Sequence, residues 1–331
     1  MNRLKDKGRQ FFQTAYLLIL RVLLLGGMAC SGSNKKENKT DSQSTVQTSK
    51  LKKEIVMPTI PALITHPEDR LKYLANHYWD NFDFNDTTYI HLPEVTDQAF
   101  ANYLDLLGRM ESKDYSLALQ KMLSTCEKVD KSGKVYSYFL SLMGSYLYDP
   151  NSPMRNEELY YPVVNYIVTD SVSNQVVKDK ARYTIELINM NRVGTKATNF
   201  SFTTTTGKIQ NLNLYKGKNV LIYFYNPDCN MCKQVAADLK TSDVVNRLLD
   251  SKKLVILGVY LDEDLKSWKE HLPELPTSKW VVGYDKDQKI KMNHLYDIKA
   301  IPSLYLLNQD LTVALKDSDF ATVEYVLSQL H

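Results

Sequence analysis

The feature that most limits the possible folds of this 331-residue chain is an apolar run that leads directly into a pair of cysteines. Residues 220–225 are all apolar or aromatic, which is typical of a buried central strand. Cys229 and Cys232 follow, and the apolar residues after them recur at helical spacing. A strand that enters a helix through Cys-x-x-Cys is the context in which this spacing indicates a redox pair.

The spacing also assigns a role to each cysteine. Two residues three apart on a first helical turn face the same side, so their sulfurs can close a small disulfide. The first cysteine lies at the free backbone N–H groups and the positive end of the helix dipole, and both stabilise a thiolate. We therefore expect Cys229 to be the nucleophile and Cys232, which is deeper and less exposed, to resolve a mixed disulfide.

Two other uses of this pair need to be weighed. A zinc site requires two further ligands, but the chain has no second Cys-x-x-Cys and its six histidines are scattered. A purely structural disulfide remains open, although such bridges usually close longer loops. We expect no metal ion and no other cofactor at this site.

The remaining carboxy-terminal residues, 193–331, predict an α/β domain with a mixed sheet, because short apolar strands alternate with helical patterns. The predicted strands cover residues 200–205, 220–225, 254–260, 280–284, 304–307 and 311–315. The predicted helices cover residues 235–248, a segment through Trp268, residues 289–296 and residues 321–330.

Residues 193–331 resemble the thioredoxin-like domains of the periplasmic TlpA and ResA group, which are related to the alkyl hydroperoxide reductase and thiol-specific antioxidant proteins. The resemblance rests on the cysteine pair, on the extra strand and helix at residues 254–272, and on Ile301-Pro302, which matches the cis-proline loop of that group. It implies a thiol-disulfide oxidoreductase with protein thiols or disulfides as substrates and a separate electron donor. It also implies that the backbone of Ile301 pairs with an extended substrate beside Pro302.

The chain departs from the group's pattern at two positions. Asp228 stands where a tryptophan is common, and Tyr223 stands where thioredoxin carries a buried acid six residues before its first cysteine. The sequence therefore identifies no proton acceptor for Cys232. The dipeptide Asn230-Met231 between the cysteines matches no familiar pair, so the sequence does not distinguish a reductant from an oxidant.

The amino terminus predicts export. Basic residues precede an apolar run over residues 15–29, which is shorter than the roughly 20 residues of a membrane-spanning helix and ends in small residues. Cys30 follows directly and resembles the acylated cysteine of bacterial lipoproteins. We expect residues 1–29 to be a signal peptide and the protein to be lipid-anchored at Cys30, facing the periplasm, in the outer rather than the inner membrane. An uncleaved signal anchor or a secreted form remains an alternative.

Residues 30–60 are poor in large apolar side chains and predict a disordered tether. Five basic residues and one acidic residue precede Cys30, which leaves 36 basic and 37 acidic residues in the rest of the chain. This balance gives no reason to expect a nucleic-acid partner.

Residues 61–192 predict an all-helical domain, because only three glycines occur there and apolar residues recur every three or four positions. Six helices are expected, at residues 67–79, 96–107, 115–126, 135–146, 157–168 and 175–190. Cys126 lies on an apolar stripe, so we expect a buried thiol that packs as a small hydrophobic residue.

An aromatic and acidic segment, residues 79–86, follows the first predicted helix. It resembles a segment of an uncharacterised helical domain that precedes thioredoxin-like domains in bacterial lipoproteins, and that resemblance brings no known activity. Ordinary core packing is the expected role of these aromatic residues. The alternative is a binding protein, in which the helical domain recognises a client or partner lipoprotein and the thioredoxin-like domain serves as a docking platform.

The lipid anchor can be tested by metabolic labelling. We expect cells grown with labelled palmitate to label the wild-type protein, because the Cys30 sulfur is the predicted site of acylation. The Cys30→Ala variant should carry no label and should leave the membrane fraction. An unlabelled wild-type protein whose Cys30→Ala variant fractionates unchanged would contradict the anchor.

Overall fold

The computed structural model describes residues 53–330. Cys30, the predicted signal peptide and most of the predicted tether lie outside this range. Among the described residues, no helix combines the length and the apolar character needed to cross a membrane. The last residues of the predicted tether lie against the helical domain: Lys53 pairs with Asp86, and the carbonyl of Val56 accepts a hydrogen bond from Asn81 Nδ2 at 3.0 Å.

The first part of the described chain is helical. It contains α1 (Pro67–His77), a 3₁₀ helix (Thr87–His91), α2 (Pro93–Leu107), α3 (Ser112–Val129), α4 (Lys134–Leu147), α5 (Glu157–Thr169) and α6 (Gln175–Asn189). The six expected α-helices are therefore present in the described residues. Helix α2 begins at Pro93 rather than at Thr96. The first N–H group of a helix has no partner within the helix, so proline, which has no N–H group, is favoured at that position.

The aromatic segment after α1 forms the core of this domain. Trp79, Phe82 and Phe84 are all buried. The rings of Trp79 and Phe82 meet Phe139 of α4 edge to face, at centroid distances of 5.2 Å and 5.6 Å. This geometry is the one that aromatic pairs prefer, and the burial of such large rings stabilises the domain. Core packing, rather than an exposed binding surface, is thus the role of these three rings.

Cys126 behaves as the sequence predicts. Its side chain is fully buried on α3, among the apolar residues of the helical core. Burial, with a smaller effect from Asp130, raises the pKa of the thiol to about 12. The thiol is therefore protonated and shielded at neutral pH, as expected of a side chain that packs in the core.

The second part of the described chain alternates strands and helices. The strands are β1 (Ser201–Thr204), β2 (Ile209–Asn211), β3 (Asn219–Tyr225), β4 (Leu254–Tyr260), β5 (Val281–Tyr284), β6 (Ser303–Leu307) and β7 (Val313–Leu315). The helices are α7 (Asn230–Thr241), α8 (Asp243–Asp250), α9 (Leu265–His271), α10 (Lys289–Met292) and α11 (Phe320–Ser328), with 3₁₀ turns at Leu212–Tyr215 and Leu272–Glu274.

These strands form one mixed sheet in the order β2-β1-β5-β4-β3-β6-β7. Strand β3 is buried along its whole length and lies parallel to β4 and antiparallel to β6. The expected central strand and mixed sheet are thus confirmed. The register pairs Phe224, near the end of β3, with Ser303, at the start of β6. The segment that follows Phe224 and the segment that precedes Ser303 therefore lie close together at the same end of these two strands.

Two predicted helices differ from the structure, and one strand was not predicted. The helix expected over residues 289–296 ends at Met292. The single helix expected over residues 235–248 is two helices, because the chain leaves the helical conformation at Ser242, whose hydroxyl accepts a hydrogen bond from the N–H of Val245 at 3.2 Å and caps α8. Strand β2 was not predicted. Its three residues pair only with β1 and its Ile209 is exposed, so no apolar alternation marks it.

The close contact between β5 and β1 gives a stability prediction. A Cβ atom on Gly283 would lie 2.5 Å from the carbonyl oxygen of Thr203, which is backbone and cannot rotate away. We expect Gly283→Ala to lower the free energy of unfolding by about 1–3 kcal/mol, the usual cost of overpacking. The control is Gly258→Ala in β4, where the nearest atom would be a Tyr225 ring carbon at 3.5 Å. Equal urea midpoints for the two variants would contradict this account.

Candidate redox site

Cys229 lies where β3 gives way to α7. It is the N-cap residue of α7, and its Sγ accepts a hydrogen bond from the backbone N–H of Cys232 at 3.4 Å. A sulfur in this position receives a free N–H group of the first helical turn and faces the positive end of the helix dipole. The predicted local structure, a cysteine at a helix N-terminus with a backbone N–H directed at its sulfur, is therefore present.

Cys232 lies one turn deeper, and only 1% of its surface is exposed, whereas Cys229 is half-buried. Both are free thiols. Burial raises the pKa of Cys232 to about 12, and the neighbouring Cys229 acts in the same direction. The two sulfurs therefore differ as a nucleophile and a resolving thiol should: one is accessible, and the other is protonated and covered.

The proline loop, residues 299–303, brings the other predicted site residues beside Cys229. The peptide bond between Ile301 and Pro302 is cis, as the resemblance implies. The carbonyl oxygen of Ile301 accepts a hydrogen bond from Cys229 Sγ at 3.6 Å. Cys229, Cys232, Ile301 and Pro302 thus meet at one edge of the sheet; their catalytic and substrate-binding roles remain predictions.

Asp228, the first departure from the group's pattern, is held by helix α9. One of its carboxylate oxygens accepts a hydrogen bond from Ser267 Oγ at 3.0 Å, and the other lies 3.6 Å from His271 Nε2. Sequence reasoning missed Ser267 and His271, since nothing in their spacing relates them to the cysteines. The only available signal was their position in the extra segment at residues 254–272.

Tyr223, the second departure, cannot replace the buried acid as a proton acceptor. Its hydroxyl donates a hydrogen bond to the carbonyl oxygen of Cys232 at 2.7 Å, and its ring stacks on Tyr225 at 4.9 Å. Burial is the main cause that holds the pKa of this phenol above its ordinary value. The phenol therefore stays protonated and fastens α7 to β3.

A groove of ≈ 130 Å³ opens beside Cys232. Its polar lining includes Asn226, Lys233, His271 and Glu274, and His271 Nδ1 lies 2.6 Å from Glu274 Oε1. A groove of this size has room for water, since about 10–15 Å³ of such volume is enough for one molecule. Among the described residues, no group of three or more His, Cys, Asp or Glu side chains could hold a metal ion.

Comparisons with known proteins agree with this geometry. Residues 29–191 match a domain of unknown function (DUF5106), and residues 217–313 match a thioredoxin-like family. A crystal structure of a thioredoxin-like protein from Bacteroides caccae is 41% identical, with a TM-score of 0.80, and the match covers 84% of this chain and 99% of that chain. No curated protein matches.

Two further solved structures align with a smaller share of this chain. The C-terminal domain of an uncharacterized protein from Bacteroides fragilis is 41% identical, over 42% of this chain and 99% of that chain, with a TM-score of 0.41. The thioredoxin domain of a thiol-disulfide oxidoreductase from Bacteroides vulgatus is 23% identical, over 41% of this chain and 96% of that chain, with a TM-score of 0.37. The family assignment rests on the Bacteroides caccae protein, which is similar over nearly its whole length.

The expected fold class is confirmed, and the chain belongs to the family of thioredoxin-like proteins in which a DUF5106 helical domain precedes a thioredoxin-like domain.

Proposed function

We propose that this protein is a thiol-disulfide oxidoreductase that exchanges electrons with other proteins through Cys229 and Cys232. The observation that carries the proposal is the position of Cys229 Sγ. It receives the Cys232 N–H at 3.4 Å and lies 3.6 Å from the Ile301 carbonyl oxygen. A nucleophilic sulfur and a backbone acceptor for an extended substrate are therefore neighbours.

The exchange takes two steps. The Cys229 thiolate attacks one sulfur of a substrate disulfide, so that a mixed disulfide forms and the other substrate sulfur leaves as a thiolate. Cys232 then loses its proton and attacks Cys229 Sγ; the Cys229–Cys232 bond forms and the second substrate sulfur leaves. Two electrons pass from the dithiol to the substrate. The reverse sequence oxidises a substrate dithiol.

Mixed-disulfide formation itself activates Cys232. Burial raises the pKa of this thiol, and interactions with Cys229 raise it further. Once Cys229 is bonded to substrate it can no longer be a thiolate, so no negative charge on Cys229 then opposes the ionisation of Cys232. Tyr223 does not take this proton, because its hydroxyl is already protonated and donates to the Cys232 carbonyl, and the groove beside Cys232 gives the proton a path to solvent.

The proline loop supplies the contact with substrate. Pro302 has no N–H group, and the Ile301 carbonyl lies beside the reactive sulfur. An extended substrate segment that pairs with the backbone of Ile301 places its own disulfide within reach of Cys229. The proposed substrates are therefore protein thiols and disulfides in extended segments, and a separate electron donor returns the pair to the dithiol form.

The proposed location is the periplasmic side of the cell envelope, with the lipid anchor at Cys30. The pattern of residues 1–30 supports this proposal, since a charged segment, an apolar run and small residues precede the cysteine. Exchange between protein thiols and disulfides suits an extracytoplasmic compartment, where disulfides persist.

Trapping of the mixed disulfide tests the chemistry. We expect Cys232→Ala to accumulate mixed disulfides with other cellular proteins, because Cys229 still attacks but nothing resolves the bond. The adducts should appear on non-reducing gels and disappear with dithiothreitol, and mass spectrometry should identify the substrates. Cys126→Ala is the matched control, since it removes a buried thiol elsewhere in the chain, and it should trap nothing.

The double variant Cys229→Ala/Cys232→Ala completes the test. It should form no adducts and should abolish the cellular role of the protein. Adducts that persist without Cys229 would contradict the assigned nucleophile. A cellular role that survives the double variant would instead favour the alternative, in which the helical domain binds a client and the second domain is a docking platform.

A further inference from the structure

Buried charged side chains connect the two domains directly behind the proline loop. We define the interdomain charge cluster as Arg155 and Glu157 of the helical domain with Asp297, Lys299, Lys316 and Asp317 of the thioredoxin-like domain. Their side chains are between 5% and 22% exposed. Three acids face three bases, so the formal charges balance. Burial lowers the pKa of Lys316 and raises the pKa of Asp317, and the opposite charges around each side chain act against these shifts.

Glu157, the first residue of α5, is the centre of this cluster. One of its carboxylate oxygens accepts from Lys299 Nζ, and the other lies 2.9 Å from Lys316 Nζ. Lys316 also donates to the carbonyls of Leu187 and Ile188, near the end of α6, at 2.8 Å and 3.1 Å. Glu157 of α5 therefore contacts Lys299 and Lys316 of the thioredoxin-like domain, and Lys316 in turn contacts the end of α6.

Lys299 stands two residues before Ile301 and is fixed from three sides. Its ammonium group contacts Glu157 and Asp297 and lies 4.5 Å from the centre of the Tyr148 ring. Burial acts to lower the pKa of Lys299, but the two carboxylates outweigh burial and raise it. The ammonium group therefore stays charged and paired with both carboxylates at the start of the proline loop.

A second connection holds the other end of the loop. Arg155 Nη1 lies 3.0 Å from a carboxylate oxygen of Asp317, and the guanidinium group also donates to the Asp317 carbonyl. Asp317 in turn accepts a hydrogen bond from Ser303 Oγ at 2.8 Å, and Ser303 directly follows Pro302. The helical domain thus reaches the residues on both sides of Ile301-Pro302.

We infer that Glu157 is a positioning residue for the proline loop, so that the helical domain fixes the backbone that receives the substrate. The inference rests on the proposed function and extends it to a domain without an assigned activity. Well-packed apolar residues often replace a buried ion network without loss of stability. Because this network contacts residues on both sides of Ile301-Pro302, a role in positioning the loop explains it better than a contribution to stability alone.

The test compares two disulfide probes that release the same chromophore, thionitrobenzoate, as the leaving group when Cys229 attacks them. One is a peptide whose cysteine is activated as a thionitrobenzoate disulfide, and the other is dithiobis(nitrobenzoate), which has no peptide backbone. We expect Glu157→Gln to slow the reaction with the peptide by about tenfold or more, since small displacements of a binding group cost that much. The reaction with dithiobis(nitrobenzoate) should change by less than about twofold, because Cys229 itself is not altered.

Glu158→Gln is the matched control. Glu158 is the next residue of the same helix, its side chain is 44% exposed, and it pairs with Arg192 at 2.5 Å rather than with the proline loop. Both probes should react with this variant as they do with the wild type. The comparison separates the loss of an ion pair in α5 from the loss of support for the loop.

Removal of one buried charge can also unfold the protein, so circular dichroism accompanies the test. If Glu157→Gln does not fold, the variant Glu157→Gln/Lys316→Met takes its place, because it removes one charge of each sign. Equal rates with the peptide for the wild type and the folded variant would overturn the inference, and so would an equal loss with both probes. A wild-type protein that releases no chromophore from either probe would refute the proposed function instead.

Discussion

The proposed redox chemistry depends on one hydrogen bond, the donation from the backbone N–H of Cys232 to Cys229 Sγ at the start of α7. This contact exists because β3 is a buried central strand that delivers the chain to the helix N-terminus at the sheet edge. The position of this contact at the helix N-terminus also makes the two thiols different in exposure. Cys229 is half-buried, and its partner, one turn further along α7, is buried with its pKa raised to about 12.

The sheet and the helical domain both serve this arrangement. The pairing of β6 with β3 brings Ile301 to the sulfur of Cys229, and residues on either side of Ile301-Pro302 contact Glu157 and Arg155 of the helical domain. The helical domain that supplies these contacts has its own aromatic core, in which Trp79, Phe82 and Phe84 are buried. The helical domain and the thioredoxin-like domain are therefore connected by ion pairs at residues that flank the proline loop of the candidate site.

Local patterns in the sequence predict much of this molecule. The apolar strand, the cysteine spacing and Ile301-Pro302 each lie within a few residues, and such features need no knowledge of distant contacts. Helical periodicity likewise predicted the six helices of the first domain. Buried Cys126 followed from its position on an apolar stripe.

The parts that could not be predicted depend on distant pairs. Glu157 and Lys299 are 142 positions apart, and each resembles an ordinary surface charge in the sequence. The contact of Asp228 with Ser267 arises only when α9 folds over the end of β3. The break at Ser242 was missed because apolar spacing continues across it, while one hydroxyl cap decides where α8 begins.

The most direct measurement of the central claim is the alkylation of each cysteine in the folded, reduced protein, followed by mass spectrometry from about pH 6 to about pH 9. The account predicts that iodoacetamide modifies Cys229, the capped and half-buried thiol, while Cys126 and Cys232 resist until the protein unfolds. Burial and a pKa raised to about 12 protect both of these thiols. Modification of Cys232 before Cys229, or a Cys229 that reacts only after unfolding, would contradict the account.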